Sequence, residues 1–181
     1  MPPSPLIFLV GPRACGKTSL GRRLAKRLGH EFLDTDELVV ERAGMSIAEL
    51  VAANGWDVFR DAESKALELA CAPAPDARGR VVATGGGMVL RQENRSRMRE
   101  AGRVVYLKAP LETLAARLHR SPIPGQRPAL TDKSAEDELR HVLAEREALY
   151  QAAAHLVLDA TASFPVLIVK LCAALDNETD A

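Results

Sequence analysis

Short apolar runs alternate with stretches in which apolar residues recur every three or four positions, and this alternation persists along the chain. It is the sequence form of an α/β fold with a parallel sheet. Leu6-Ile7-Phe8-Leu9-Val10 is apolar without interruption, as a strand buried on both faces is. Phe32-Leu33, Arg80-Val81-Val82-Ala83-Thr84, Arg103-Val104-Val105-Tyr106-Leu107 and His155-Leu156-Val157-Leu158-Asp159 predict four further strands. Between them, Leu20, Leu24 and Leu28 lie at helical spacing and Gly29 supplies a stop. Ser46 and Glu49 form a capping box for a helix that Asn54-Gly55 ends, and a second helix runs from about Asp57 to Cys71. Leu111, Leu114, Ala115 and Leu118 mark a helix after the fourth strand, and Leu139, Val142, Leu143, Leu149 and Tyr150 mark a longer one before the fifth. Ser163 and Pro165 suit the cap and first turn of a final helix carrying Leu167, Leu171 and Leu175.

Residues 121–132 break this rhythm. Ser121 to Pro128 holds three prolines and a glycine in eight residues, which excludes regular structure and reads as a mobile lid or binding loop. The tail, about 176–181, is polar and reads as disordered. No repeat or internal boundary is evident, so residues 1–181 read as one domain, long enough to bury roughly 70% of the unfolded surface.

Chemistry enters between the first strand and the first helix. Gly11-Pro12-Arg13-Ala14-Cys15-Gly16-Lys17-Thr18 satisfies Gly-x4-Gly-Lys-Ser/Thr, the loop that cradles the phosphates of a nucleoside triphosphate. Its glycines let backbone N–H groups turn inward around an anion, and the helix that follows adds its positive end. Lys17 is expected on the β- and γ-phosphates and the Thr18 hydroxyl on Mg2+.

Charge then narrows the partners. Lysine plus arginine and aspartate plus glutamate number 24 each, so no overall field points to nucleic acid or a membrane surface. Cys15, Cys71 and Cys172 are widely spaced and odd in number, which favours neither a disulfide framework nor zinc and fits a reducing, cytoplasmic setting. The five-residue apolar run near the start is too short for a membrane span and lacks the flanks of a signal peptide. His30, His119, His141 and His155 lack metal spacing.

Other groups could serve the same site. Asp34 and Asp36 follow the second strand, where open α/β sheets bind ligands, and as i and i+2 of an extended chain they would share a face. The competing reading is that they cap the next helix. Gly85-Gly86-Gly87 exceeds the needs of a turn and reads as a second cradle opposite the first, against a loose turn as the alternative. Arg60 lies beside Trp56 and Phe59, Arg127 in the proposed lid, and Arg146 on an apolar helix face where it needs an anion. Each stands against a structural ion pair. Cys15 has two readings. A thiolate is favoured by the helix start and Lys17; alternatively a small residue fits a tight loop with its sulfur toward the core.

Taken in order, the phosphate loop, Asp34-Thr35-Asp36, Phe59-Arg60 with Glu63, Ala83-Thr84-Gly85-Gly86-Gly87, Val104-Val105-Tyr106-Leu107, Arg127-Pro128 and Glu145-Arg146-Glu147-Ala148-Leu149-Tyr150 make the chain resemble the shikimate kinases over about residues 5–175. The resemblance implies a three-layer sandwich with a five-stranded parallel sheet in order 2-3-1-4-5. It also implies transfer of the ATP γ-phosphoryl group to the 3-hydroxyl of shikimate in aromatic amino acid biosynthesis. It assigns Asp36, Arg60, Gly86 and Arg146 to shikimate, with Gly85 and Gly87 beside them, and Thr18 and Asp34 to Mg2+. ATP falls to Gly11, Arg13, Ala14, Cys15, Gly16, Lys17, Thr18 and Ser19, with Arg117 and Pro165 flanking the adenine. Lys17, Asp36 and Arg127 become the catalytic set, and the expected state is a monomer. A gluconate kinase of the same fold, or an ATP-binding regulatory module without turnover, is the competing reading. Phe59-Arg60, the triple glycine and Arg146 together speak for an acceptor that bears a carboxylate.

Overall fold

The computed structural model describes residues 6–73, 79–120 and 135–176. The strands are β1 (Leu6–Val10), β2 (Glu31–Asp34), β3 (Arg80–Ala83), β4 (Arg103–Lys108) and β5 (Leu156–Asp159). They form one parallel sheet in the order β2-β3-β1-β4-β5, as the resemblance implies. Phe8 at its centre is in register with Val82 of β3 and Val104 of β4.

Alternation along β1 sends side chains to both faces, and both faces are dry. Ile7 and Leu9 pack with Leu20 and Leu24 of α1 (Lys17–Leu28), Leu114 of α5 (Leu111–Arg120) and Leu167 and Leu171 of α7 (Phe164–Asp176). Phe8 and Val10 pack instead with Leu67 of α3 (Ile47–Cys71), Met98 of α4 (Gln92–Ala101) and Tyr150 of α6 (Ala135–Ala153). The result is a helix-sheet-helix sandwich. Val39 of α2 (Thr35–Ala43) joins Ile47, Leu50 and Phe59 in a smaller cluster beyond the β2 edge. Gly21 lets α1 lie close on the sheet, since a Cβ there would come 2.6 Å from the Phe32 ring.

Differences from the sequence reading have local causes. The two helices expected on either side of Asn54-Gly55 are present as the two arms of α3, divided at Gly55, whose φ 82° and ψ 172° are not helical. The first arm carries the expected capping box, with Ser46 Oγ accepting from Glu49 N at 3.2 Å and Glu49 Oε2 accepting from Ser46 N at 2.8 Å. Helix α4 escaped the periodicity because it buries only Asn94 and Met98. Its arginines attach to backbone instead. Arg95 Nη1 donates to Val89 O at 2.6 Å, and Arg99 Nη1 donates to Ala153 O and Ala154 O at 3.1 Å.

Helix α7 runs to Asp176, where the sequence reading begins a loose tail. Residues 177–181, and the proline-rich stretch 121–132 with Arg127, lie outside the described residues. Among the described residues, no helix is long and apolar enough to cross a membrane, and all three cysteines are free.

Candidate active site

The chain leaves β1 into a loop whose backbone only a few residue types tolerate. Gly11 has φ 144°, Ala14 φ 60° and Gly16 φ 99°. A Cβ at Gly11 would stand 2.9 Å from Leu107 O, so glycine is required for space as well as for conformation. Such a turn can aim successive N–H groups at one anion. Helix α1 starts at once from Gly16, with no side-chain cap and no acidic residue in its first turn, so its positive end faces the loop. Lys17 Nζ donates to Gly11 O at 2.8 Å and Pro12 O at 2.7 Å, which holds the ammonium within the loop.

Thr18 Oγ1 donates to Asp34 Oδ2 at 2.8 Å, joining the loop to the end of β2. Burial pushes the Asp34 carboxyl above its ordinary range and the Asp36 charge pushes it further; hydrogen bonds from Thr18 and the Asp36 N–H oppose both. The expectation that Asp34 and Asp36 share one face of an extended strand is corrected. Asp34 ends β2 and caps α2, accepting from Asp36 N at 3.0 Å, while Asp36 lies in the first helical turn. The capping reading holds for Asp34. A hydroxyl beside a carboxylate is a hard-oxygen pair of the kind Mg2+ takes together with phosphate oxygens and water, so these residues fit the ion.

One cavity of about 1370 Å3 brings most of the predicted residues together. Arg13, Ala14, Gly16, Lys17, Thr18 and Ser19 line it, as do Asp34, Asp36 and Gly86, with Arg117 and Pro165 also on its wall. Arg117 Nη2 donates to Ala160 O at 2.7 Å, so its guanidinium is anchored beyond β5. Gly11, Cys15, Arg60, Gly85, Gly87 and Arg146 are not on that wall. Cys15 is 2% exposed and packs in the apolar core below the loop with its sulfur turned inward, 3.6 Å from Lys17 Nζ.

The three glycines do different things. None has positive φ, so they are not a second phosphate-type nest. Gly85 N donates to the buried Thr35 Oγ1 at 2.9 Å, fixing the turn to α2. A Cβ on Gly86 would lie 3.6 Å from Gly11 O and 4.0 Å from Arg13 N, so this residue faces the phosphate loop across a narrow gap. A Cβ on Gly87 would run into the Arg60 guanidinium. Arg60 itself pairs with the buried Glu63 and lies 5.2 Å from the Phe59 ring centre and 5.4 Å from that of Trp56.

Arg146 approaches the same turn from α6. It is 6% exposed, and its Nη1 donates to Gly86 O at 3.4 Å while Nε donates to Glu145 Oε2 at 3.2 Å. The two arginines thus meet the glycine turn from different helices. Sequence reasoning gave no role to Thr35 or Tyr150, both buried and both bonded to this turn. Tyr150 stands one helical turn after Arg146, a spacing that could have revealed it.

A glycine-rich loop between the central strand and its helix, with a Thr-Asp pair and a carboxylate beside it, defines a phosphate-loop kinase. The shikimate kinase family model matches residues 13–175. Shikimate kinase 2 of Dickeya chrysanthemi is 52% identical over 165 residues, spanning 91% of this chain and 92% of that protein. The shikimate kinase of Nitratidesulfovibrio vulgaris is 52% identical over 170 residues, spanning 93% and 94%. A solved structure of the Acinetobacter baumannii shikimate kinase in complex with shikimate matches with a TM-score of 0.86 and 33% identity, over 97% of this chain and 94% of that one. The chain belongs to the shikimate kinase family, and it is an ATP-dependent kinase that uses Mg2+.

Proposed function

We propose that the chain transfers the γ-phosphoryl group of ATP to the 3-hydroxyl of shikimate across the gap between the phosphate loop and Gly86. The observation that carries this reading is the approach of Gly86 to Gly11 and Arg13, with Asp36 on the same cavity wall as Thr18 and Asp34. It puts a hydroxyl acceptor site beside a phosphate site. The acceptor O–H breaks as O–P forms, its proton passing to the Asp36 carboxylate, the bond from phosphorus to the β-phosphate oxygen breaks, and ADP leaves. In-line positioning and charge neutralisation supply most of the catalysis in such a transfer.

Each residue then has a task. Loop 11–18 and the α1 N-terminus hold the phosphates, with Lys17 supplying the cation for the charge that builds on the moving group. Thr18 and Asp34 would hold Mg2+, which would screen the phosphate oxygens from the attacking hydroxyl. Asp36 accepts the hydrogen bond of that hydroxyl. Arg60 and Arg146 take the shikimate carboxylate, a pairing suited to bidentate guanidinium bonds. Glu63 and the two aromatic rings support Arg60 in this task. Arg117 and Pro165 border the adenine. Arg127, outside the described residues, keeps the role that the family resemblance gives it, as the lid cation over the transferring group.

We read the chain as a single-domain monomer in the cytoplasm that binds neither nucleic acid nor membrane. Balanced charge and free cysteines support that setting. The test is release of ADP with shikimate, gluconate and AMP offered separately. Turnover with shikimate alone is expected; faster turnover with either rival overturns the assignment.

A further inference from the structure

The acceptor reading leaves unexplained why two aromatic rings are stacked without exposure beneath the site. Tyr106 of β4 and Tyr150 of α6 lie with ring centres 5.2 Å apart and planes 22° apart, and both are 0% exposed. Each ring serves one side of the gap. Tyr106 Cδ2 lies 3.6 Å from the position a Gly11 Cβ would take, so this ring underlies the start of the phosphate loop. Tyr150 Oη donates to Gly86 O at 2.6 Å, so the other ring holds the glycine that faces that loop.

The pair is also fixed from outside. Tyr106 Oη donates to Glu147 Oε2 at 2.6 Å, and Glu147 Oε1 accepts from Lys108 Nζ at 2.8 Å and Gln151 Nε2 at 2.9 Å. Glu147 adjoins Arg146, so this anchor sets where α6 presents its arginine.

Resting on the acceptor reading above, we infer that Tyr150 is a positioning residue for shikimate, acting through the Gly86 carbonyl and through Arg146. Gly86 O is buried, and a buried carbonyl that loses its donor recruits another. The donor already beside it is Arg146, which makes only a long 3.4 Å bond there while Tyr150 makes the short one. Tyr150 thereby leaves the Arg146 guanidinium available to a substrate carboxylate. Without the hydroxyl, Arg146 is drawn onto the glycine and away from the acceptor. Phosphate-loop geometry, set by the backbone of residues 11–16, is untouched.

Tyr150→Phe in the full chain tests this, since it keeps the stacked ring and removes one oxygen. The expected result is a three- to tenfold rise in KM for shikimate, the size of one lost hydrogen bond. KM for ATP and kcat should each stay within twofold. Calorimetric titration of shikimate into the variant without nucleotide should show the same weakening, and thermal melting is recorded beside it. A shikimate KM and affinity within twofold of the parent would overturn the proposal. A parallel rise in KM for ATP with a lowered melting temperature would also overturn it, because a merely structural ring loosens both substrates. A parent chain that does not phosphorylate shikimate strikes the functional reading; an active parent with an indifferent Tyr150→Phe strikes Tyr150 alone.

Discussion

In the proposed assignment the donor side is built from consecutive residues 11–18, whereas the acceptor side would draw on Asp36, 60–63, 85–87 and 146–150, of which Asp36 and Gly86 line the cavity. The first is local structure. Its shape is written in backbone angles at Gly11, Ala14 and Gly16, and its binding groups are mainly N–H groups that any sequence with that backbone would offer. The second is tertiary structure. Thr35 must meet Gly85, Arg60 must meet Gly87, and Arg146 and Tyr150 must meet Gly86. A phosphate site can therefore be recognised from a short string of residues, but the identity of the acceptor depends on how the whole chain folds.

The strongest way to break this comparison is Asp36→Asn. It should lower turnover by about 10^2- to 10^4-fold, the range of a lost proton acceptor, while ATP affinity survives. Near-normal turnover in a steady-state assay would remove Asp36 from the reaction. On the donor side, Gly11→Ala should lower ATP affinity and stability together, because its φ of 144° and the 2.9 Å approach to Leu107 O leave no room to relax. The strain should cost about 1–3 kcal/mol, read from denaturant melts; an unchanged midpoint would contradict it.

Arg60→Leu and Arg146→Leu sharpen the contrast. Each should weaken shikimate binding roughly 10- to 100-fold, from the loss of charge-assisted hydrogen bonds. ATP affinity is the control. If it falls equally, these arginines hold the fold rather than the substrate.

A smaller effect concerns an edge that belongs to neither side. His155 Nδ1 accepts from Val104 N at 3.0 Å, and its pKa is lowered from 6.5 by burial first and by Arg99 and Arg103 next. With the folded-state pKa depressed, the neutral form is the one the fold favours. The stabilisation is present above the ordinary value of 6.5 and is lost as pH falls below it through the lower folded-state pKa. Melting temperature should therefore drop on acidification, and drop less in His155→Asn, whose side-chain oxygen can still accept from Val104. Equal slopes would exclude His155. The smallest effect is expected at Cys15. Because its sulfur is in the core, brief treatment with a thiol reagent should cause no loss of activity that Mg-ATP prevents. Nucleotide-protected inactivation that disappears in Cys15→Ser would show the loop opening enough to expose it.

How far the sequence could be read follows the same division. Strands β1, β3 and β4 were legible because buried strands are apolar nearly without interruption, the half-exposed edge strands β2 and β5 as short apolar runs, and the phosphate loop because it is contiguous. Helix α4 was not, since a helix that buries only Asn94 and Met98 carries no apolar stripe. Asp34 and Asp36 were found, yet their geometry was misjudged because α2 begins immediately after β2 and bends the pair out of an extended chain. Arg60 and Arg146 stood out as charges among apolar neighbours, but Glu63 and Gly86 as their partners are facts of packing. The place of Tyr150 one turn after Arg146 was legible, but its ring extends the apolar face of α6 and gives no sign of the carbonyl its hydroxyl meets.

Gly21 and Phe32 carry a consequence for heredity and redesign. The missing side chain at Gly21 is the space that the Phe32 ring occupies, and four residues before Gly21 and two residues after Phe32 stand Lys17 and Asp34. The spacing that lets Thr18 reach Asp34 at 2.8 Å is thus set by a contact between two apolar positions that touch neither nucleotide nor acceptor. Enlarging Gly21 alone pushes the pair apart, and shrinking Phe32 alone leaves a void. The two positions must change together or remain as they are, so selection on the Thr18–Asp34 pair reaches into the core and acts there on volume.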